Sequence, residues 1–596
     1  MAKLDLSQAN QAVDMSGSGL VKFSAYIAHS PSLWQWLTPA GNKVDVVGTT
    51  LTFDNLGHAS GGNVVSTHIY LDNNVSNNKV QIFEIDAVAE PLDNNAESFW
   101  RMLEGDDTIA GPSATVAGSA TAFTIFGDNI IARSGIALGG NDVFTDGGAK
   151  TTMIGDVVDV GSQAPETVAI NYHGGNDVFF GSNTTLQQSY YGDVLHVNAS
   201  GKLMGGNDVI LLNSSGSGSQ AIGDAQSIEG VAGRLAVLIG AGDIIDATGS
   251  LGTFLELVGD VSNQGAFANV KGGGDIINGS NQTDTIVGDV HNQGGSETVG
   301  GADILLGNGG NDNIVGDVFN VSTGILFGGN DLIHGGSGDD YIFGEFANGP
   351  APSVSGGNDQ LFGDEGNDRI FGQTGNDILD GGAGDDSLNG GDGFDFASYI
   401  SATVTGVTAD LINGAINTGD AAGDLYALIE GLSGSTFADS LRGNNLANTL
   451  LGQAGTDVLL GRGGNDRILG GDDRDVVTGG LGTDTMTGDS GNDRFDFNSI
   501  TESGASANTR DHITDFTHGQ DKMDFLSMDA RASNASNDAF IFIGSATFTA
   551  EGQIRATQSG ADTVIEINVS GVIGAEMSLV LDHFTASTLT VSDFIL

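Results

Sequence analysis

Gly452-Gln-Ala-Gly-Thr-Asp457-Val-Leu-Leu, Gly461-Arg-Gly-Gly-Asn-Asp466-Arg-Ile-Leu, Gly470-Gly-Asp-Asp-Arg-Asp475-Val-Val-Thr, Gly479-Gly-Leu-Gly-Thr-Asp484-Thr-Met-Thr and Gly488-Asp-Ser-Gly-Asn-Asp493-Arg-Phe-Asp follow one another without a gap. They close a stretch, Gly434 to Asp496, that divides into seven blocks of nine residues. Glycine recurs at places one and four, aspartate at six and an apolar residue at eight. A fixed period of this kind marks a solenoid. The glycines are expected to take φ > 0 and turn the chain where a Cβ would clash. The last three residues of a block read as a short strand, with place eight pointing inward. Two blocks make one coil, so residue i stacks on i+18 at strand spacing, ~4.8 Å. The aspartates then form rows along each edge. Two carboxylates about 5 Å apart repel by roughly 3 kcal/mol at an effective dielectric of 20. Such a row needs cations between its members. Ca²⁺ fits, because it takes six to eight oxygen ligands and accepts carboxylates and backbone carbonyls together. Gly, Asn and Asp also make ordinary turns, but turn chemistry alone imposes no period of nine with an inward apolar residue.

These blocks resemble those of the RTX (repeats-in-toxin) family, with its haemolysin-type nonapeptide repeats. The resemblance implies an all-β fold, a parallel β-roll or β-helix solenoid with multiple Ca²⁺ ions held in the turns by sixth-place aspartates and glycine carbonyls. The expected metal ligands in the two regular blocks are Asp359, Asp368, Asp377, Asp386, Asp395, Asp457, Asp466, Asp475, Asp484 and Asp493. Asp439 holds the same place in a weaker copy, and Asn448 lacks the carboxylate. In longer units further up the chain Asp275, Asp284, Asp303, Asp312, Asp331 and Asp340 fit as well. Earlier copies carry one such aspartate per coil, with Thr151 where a second would stand, so some of those coils are expected to hold no calcium.

The composition agrees with this reading. The chain has 596 residues, 95 of them Gly, 7 Pro, no Cys and a formal net charge of −56. Glycine at twice its usual share with little proline suits a repeat fold better than a disordered linker. Without cysteine there are no disulfides and no zinc–thiolate sites. The charge argues against nucleic acid and anionic membrane surfaces as partners, and for divalent cations. No apolar run is long enough to span a bilayer. Met1-Ala-Lys-Leu-Asp-Leu-Ser lacks the charged-then-apolar pattern of a signal peptide. Little free Ca²⁺ is found in cytoplasm, so export by another route is expected.

Outward from the regular blocks, five divisions are expected. Residues 1–101 form a small β-rich domain that holds Trp34, Trp36 and Trp100 and four of the eight lysines. Val64–Leu71 and Lys79–Ile85 read as strands there. Trp34 and Trp36 share a strand face, more simply for packing than as a binding patch. Residues 102–398 form a solenoid of long units followed by regular nonapeptides. Its Gly-Gly-x-Asp-type turns recur at Asp142, Asp177, Asp208, Asp243, Asp275, Asp303 and Asp331. A Gly-Asp pair follows at Asp156, Asp193, Asp224, Asp260, Asp289 and Asp317, with Gly344-Glu345 closing the set. From Val270 the unit settles to 28 residues: two nonapeptides and a ten-residue excursion such as Gly316–Ile325. The excursions repeat Val, Phe and Asn in order, so they are expected to stack, as a third side or a ladder of loops. Residues 399–433 are a variant insertion, 434–496 a second nonapeptide block and 497–596 a C-terminal cap. Arg510–Phe525 resembles the start of the serralysin-like C-terminal secretion domain. The ending Val591-Ser-Asp-Phe-Ile-Leu596 resembles the uncleaved signal of type I secretion substrates, which implies a type I exporter as a partner.

No catalytic constellation stands out. The chain has neither H-E-x-x-H nor G-x-S-x-G, so the protease and lipase sites of RTX enzymes are missing. His173, His291 and His334 lie in repeats and are expected to face solvent. The reading is a secreted or cell-surface calcium-binding protein, not an enzyme, with a structural role in a surface layer or matrix and self-association as its partner interaction. The alternative is an effector whose activity lies in residues 1–101, with the roll as its export and folding module.

Overall fold

A computed structural model describes residues 141–596 apart from 146–149, 156–158, 161–169, 182–186, 199–200, 215–217, 230–235, 253, 296, 323, 350–352, 532, 534–537 and 571–573; before residue 141 it describes the backbone of short strands. The chain divides into two compact units, Met1–Gln360 and Leu361–Leu596. Among the described residues the structure is β throughout, and the helical segments are single 3₁₀ turns such as Gly414–Ile416.

The first unit contains an antiparallel sheet of Ala25–Ser30, Leu33–Leu37, Lys43–Gly48, Val64–Asp72 and Lys79–Val80, in that order. The strand expected over Val64–Leu71 is present, whereas residues 81–85 lie outside the described ones. Trp34 and Trp36 sit opposite Val46 and Val44 on the second strand. Their side chains, and Trp100, lie outside the described residues.

The long units then wind as coils of four strands. Ile276–Asn278, Asp284–Val287, Val290–Gln293 and Glu297–Val299 make one coil. Ile304–Leu306, Asn313–Val315, Val318–Val321 and Ile325–Phe327 make the next, paired to it in parallel with a 28-residue offset on all four sides. Each side is therefore a parallel ladder. The excursion Gly316–Ile325 supplies the third strand and opens the fourth, so the excursions stack and build a side of their own. The third and fourth ladders are each eight strands deep, about 34 Å at strand spacing.

Alternation along these strands makes two apolar interiors. Ile277, Leu305 and Ile333 from the first ladder, with Ile286, Ile314 and Ile342 from the second, are 0% exposed. A distinct cluster on the third and fourth ladders holds Val261, Ala268, Val270, Val290, Val318 and Leu326.

The second unit is a two-sided roll. Val458–Gly463 pairs with Val476–Leu481, and Arg467–Asp472 with Thr485–Ser490, both offset by 18 residues. The eighth-place residues Leu450, Leu459, Ile468, Val477, Met486 and Phe495 are 0% exposed, while Val458 before one of them is 44% exposed. One inward side chain per strand makes a thin core. The insertion carries the roll through: Thr408–Asp410 pairs with Ser440–Arg442, Leu425–Ala427 with Ser387–Gly393, and Gly431–Ser433 joins Phe396–Ser398 to Thr449–Leu451. Beyond the glycine period, Lys522–Asp524 continues one ladder and Asp511–Ile513 the other. Met577–Leu581, the edge of an antiparallel sheet with Asp562–Asn568 and Gln553–Ser559, lies parallel to Asp511–Ile513. The final strand, Phe594–Ile595, pairs with Lys522–Asp524, and Phe594 stacks with Phe525.

Candidate metal centre

Place six stands at the corner just before each strand. There the backbone N–H of one aspartate donates to Oδ1 of its equivalent in the next coil. In the first unit the chain of bonds runs Asp243 to Asp275 (2.7 Å), Asp275 to Asp303 (2.7 Å), Asp303 to Asp331 (2.9 Å) and Asp331 to Asp359 (2.8 Å). A second file runs Asp284 to Asp312 to Asp340, each at 2.7 Å. In the second unit Asp368 donates to Asp386 and Asp377 to Asp395, both at 2.8 Å. Asp457 donates to Asp475 and Asp475 to Asp493 at 2.9 and 3.0 Å, and Asp466 to Asp484 at 2.8 Å. All sixteen expected ligands thus stand in such files, at most 2% exposed.

Oδ1 is satisfied in this way, but Oδ2 is not. Oδ2 of Asp275, Asp303, Asp312, Asp331, Asp457, Asp466, Asp475, Asp484 and Asp493 is buried with no hydrogen-bond partner. A buried carboxylate oxygen left unpaired is costly, and here it recurs along the files of both units. Burial first, and neighbouring carboxylates second, push Asp457 and Asp359 up to about 8. Burial raises Asp466 and Asp475 to about 7, with the neighbouring Asp484 and Asp493 adding to it. The groups repelling Asp466 and Asp475 in each file are carboxylates. An oxygen-only donor set with spare charge at each turn fits Ca²⁺.

The glycine at place one has a different role from the one expected. The left-handed positions are places two and four: Gln453 has φ 77°, Arg462 77° and Gly455 122°. Place one is glycine because of a close approach. A Cβ on Gly452 would stand 2.5 Å from Asp457 Oδ2, and one on Gly461 2.5 Å from the Gly479 carbonyl oxygen. The unpaired Oδ2 and a glycine carbonyl therefore border the same small space.

Asn448 shows the contrast. Its Oδ1 accepts from Asn444 N–H at 2.7 Å and its Nδ2 donates to the Glu430 carbonyl at 3.1 Å. Asp439 is likewise engaged, by Ser435 N–H at 2.6 Å. Four acidic residues outside the regular blocks extend the files. Asp386 donates to Asp424, Asp395 to Glu430, Asp484 to Asp511 and Asp493 to Asp521. Sequence reasoning missed them because the glycine turn before them is gone. Its signal survives as the tail of the motif, in Asp424-Leu-Tyr-Ala, Asp511-His-Ile-Thr and Asp521-Lys-Met-Asp. Of the repeat histidines, His291 is not simply in solvent: Nδ1 lies 2.9 Å from Glu256 Oε1 and its ring packs on Phe319. The His173 side chain and Asp156 lie outside the described residues.

Residues 298–320, 328–349, 354–379, 362–397, 433–468 and 460–495 match the family model of the RTX calcium-binding nonapeptide repeat. The chain carries RTX calcium-binding repeats. In such repeats the turns bind Ca²⁺, and within residues 298–495 the sixth-place aspartates of the carboxylate files lie in the matched repeats. No curated protein sequence matches the chain. Solved structures similar to it include the AlgE6R3 subunit of the Azotobacter vinelandii mannuronan C5-epimerase, at 24% identity over 27% of this chain and 78% of that one, with a TM-score of 0.13. The AlgE6R2 subunit of the same epimerase shows 23% identity over 27% and 89%, TM-score 0.13. The extracellular lipase LipA from Serratia marcescens shows 19% identity over 48% of this chain and 45% of its own, TM-score 0.13. Among the described residues no helix is long and apolar enough to cross a membrane.

Proposed function

We propose that this is a secreted, calcium-stiffened structural protein that self-associates at a cell surface or in an extracellular matrix, and that it is not an enzyme. The observation that carries the reading is the repetition of carboxylate files in which Oδ2 of residues such as Asp303, Asp331, Asp457, Asp466 and Asp475 is buried and unpaired. Residue by residue, the sixteen repeat aspartates named from the sequence are the ions' ligands in this reading, with Asp424, Glu430, Asp511 and Asp521 completing the ends. The outer face supports association. Ile244, Ile276 and Ile304 stack in register on the first ladder and are 37–40% exposed. Ile325 and Phe327 on the fourth ladder are 42% and 43% exposed. A regular row of apolar side chains on a strongly anionic body suits contact between like molecules once calcium cancels their repulsion.

In this reading residues 1–101 form a domain of their own, and the C-terminal region is read by a type I exporter. Light scattering and electron microscopy of the full chain with and without millimolar calcium test it. Calcium-dependent assemblies are expected. A protein that stays monomeric in calcium, while residues 1–101 show catalytic or toxic activity, supports the effector instead.

A further inference from the structure

The long coils carry a second file of carboxylates that the nonapeptide period does not supply. It consists of the residues after each Gly-Asp glycine: Asp193, Asp224, Asp260, Asp289, Asp317 and finally Glu345, none more than 1% exposed. They stand where the second ladder passes to the third, and they reach across to the Gly-Gly-x-Asp turns between the fourth ladder and the first. Asp260 Oδ2 accepts from Gly273 N–H at 3.0 Å and Asp317 Oδ1 from Gly329 N–H at 2.8 Å. A Cβ on Gly240, Gly272 or Gly300 would overlap the carboxylate of Asp260, Asp289 or Asp317. The first glycine of these turns is thus required by the Gly-Asp residue of the following coil.

The two files meet inside the coil. Oxygens of Asp177, Asp193 and Asp208 lie within 4.8 Å of one another, and so do those of Asp208, Asp224 and Asp243. Asp224 decides the matter. It is 0% exposed, and neither of its oxygens has a hydrogen-bond partner. Asp243 Oδ2, aimed at the same space, has none either. A Cβ at Gly223 would overlap both that oxygen and the Gly259 carbonyl oxygen, so a backbone carbonyl borders the cluster. The charged groups that act on Asp224 are Asp243, Asp260 and Asp193, all carboxylates. Like charges this close and buried are strongly unfavourable. We propose that the Gly-Asp carboxylates close a second row of calcium sites in the interior of the long coils, typified by Asp208, Asp224 and Asp243 beside the Gly259 carbonyl. Oxygen donors alone, in an irregular set that mixes side chain and backbone, select Ca²⁺ over softer ions.

The coils of Asp193, Asp208, Asp224 and Asp243 precede residue 298, where the repeat matches begin. They have one turn aspartate per coil, and the Gly-Asp residue supplies the carboxylate that a second nonapeptide aspartate would have given. The inference is independent of self-association: it concerns where ions sit, not what the molecules do together.

The test uses the full chain. Calcium bound at saturation is counted by equilibrium dialysis for the native protein and for Asp224→Asn, which keeps the shape and removes the charge. The variant is expected to bind at least one ion fewer, while the midpoint of the RTX blocks after residue 361 is unchanged. An equal count and equal affinity overturns the proposal. Should Asp224→Asn fail to fold, crystals of the native protein grown with Tb³⁺ replacing calcium decide. Anomalous density between Asp208, Asp224 and Asp243 is expected, and density confined to the nonapeptide turns overturns the proposal. A protonated-carboxyl infrared band that persists in saturating calcium and disappears in Asp224→Asn overturns it as well, because protons would then hold the cluster.

Discussion

A sixth-place aspartate does two jobs with two oxygens. Oδ1 ties its coil to the preceding one by accepting a backbone N–H, and in the proposed reading Oδ2 is left for an ion. Asp475 has both features: it accepts from Asp457 N–H at 2.9 Å and its Oδ2 is buried and unpaired. Asp475→Ala is expected to weaken local calcium binding at least tenfold, about 1.4 kcal/mol or more. Ser490→Ala, at exposed place three with one surface bond to Asp472, should leave the calcium midpoint in place. Isothermal titration of both variants checks this, and equal midpoints remove Asp475 from the ligand set. The same residues set a pH dependence. Burial raises the carboxyls of Asp457, Asp475 and Asp493 in the metal-free fold to about 8, 7 and 6, against about 3.9 in an unfolded chain. A raised folded value means the protonated group favours the fold. The contribution is full below about pH 4 and is lost as pH rises through roughly 6 to 8. Calcium needs the ionised form and so releases protons on binding. Metal-free protein is therefore expected to be more folded at pH 5 than at pH 8, with the order reversed in saturating calcium; circular dichroism at the two values shows which holds. Sequence made the stacking of place six legible because period and residue type coincide at Asp457, Asp466 and Asp475. It misassigned place one, since a close approach between Gly452 and Asp457 Oδ2 leaves the same glycine in the sequence as a left-handed turn does.

At the scale of the element, each strand contributes one inward side chain, and neighbours in the ladder supply the rest of its surroundings. Ile468 is 0% exposed between Leu450 and Met486 in the pairing register. Ile468→Ala is expected to cost about 2–5 kcal/mol, and the loss should spread to adjoining coils because solenoid stability rests on nearest neighbours. Leu481→Ala, at a residue 55% exposed, should stay within about 0.5 kcal/mol. Hydrogen exchange in calcium distinguishes them: faster exchange in the strands flanking Ile468 is expected for the first variant and none for the second. The strands themselves were legible from place eight. The excursions were legible as a repeat, but not as a strand closing a second apolar cluster, because Val318-Phe-Asn-Val321 alternates too briefly to announce a face. Asp424 and Glu430 were hidden for a related reason: thirty-eight residues separate Asp386 from its partner where eighteen are usual.

At the scale of the whole chain, net charge and glycine content set the balance. A formal charge of −56 and 95 glycines oppose folding through repulsion and backbone entropy, against a core one side chain deep. The far end of the chain is built into the roll, since Phe594–Ile595 pairs with Lys522–Asp524. The resemblance of this region to a type I signal predicts that a chain lacking residues 540–596 stays inside the producing cell; full secretion of that truncation refutes the assignment. What residues 1–101 do was not legible, because their short alternating runs say strand and carry no motif with chemistry attached. In this reading calcium holds the repeats together. Circular dichroism of the full chain during a calcium titration at neutral pH tests it most directly. An expanded chain in excess chelator and a cooperative rise of β signal as calcium is added are expected. A spectrum equally folded in chelator and in calcium would contradict it.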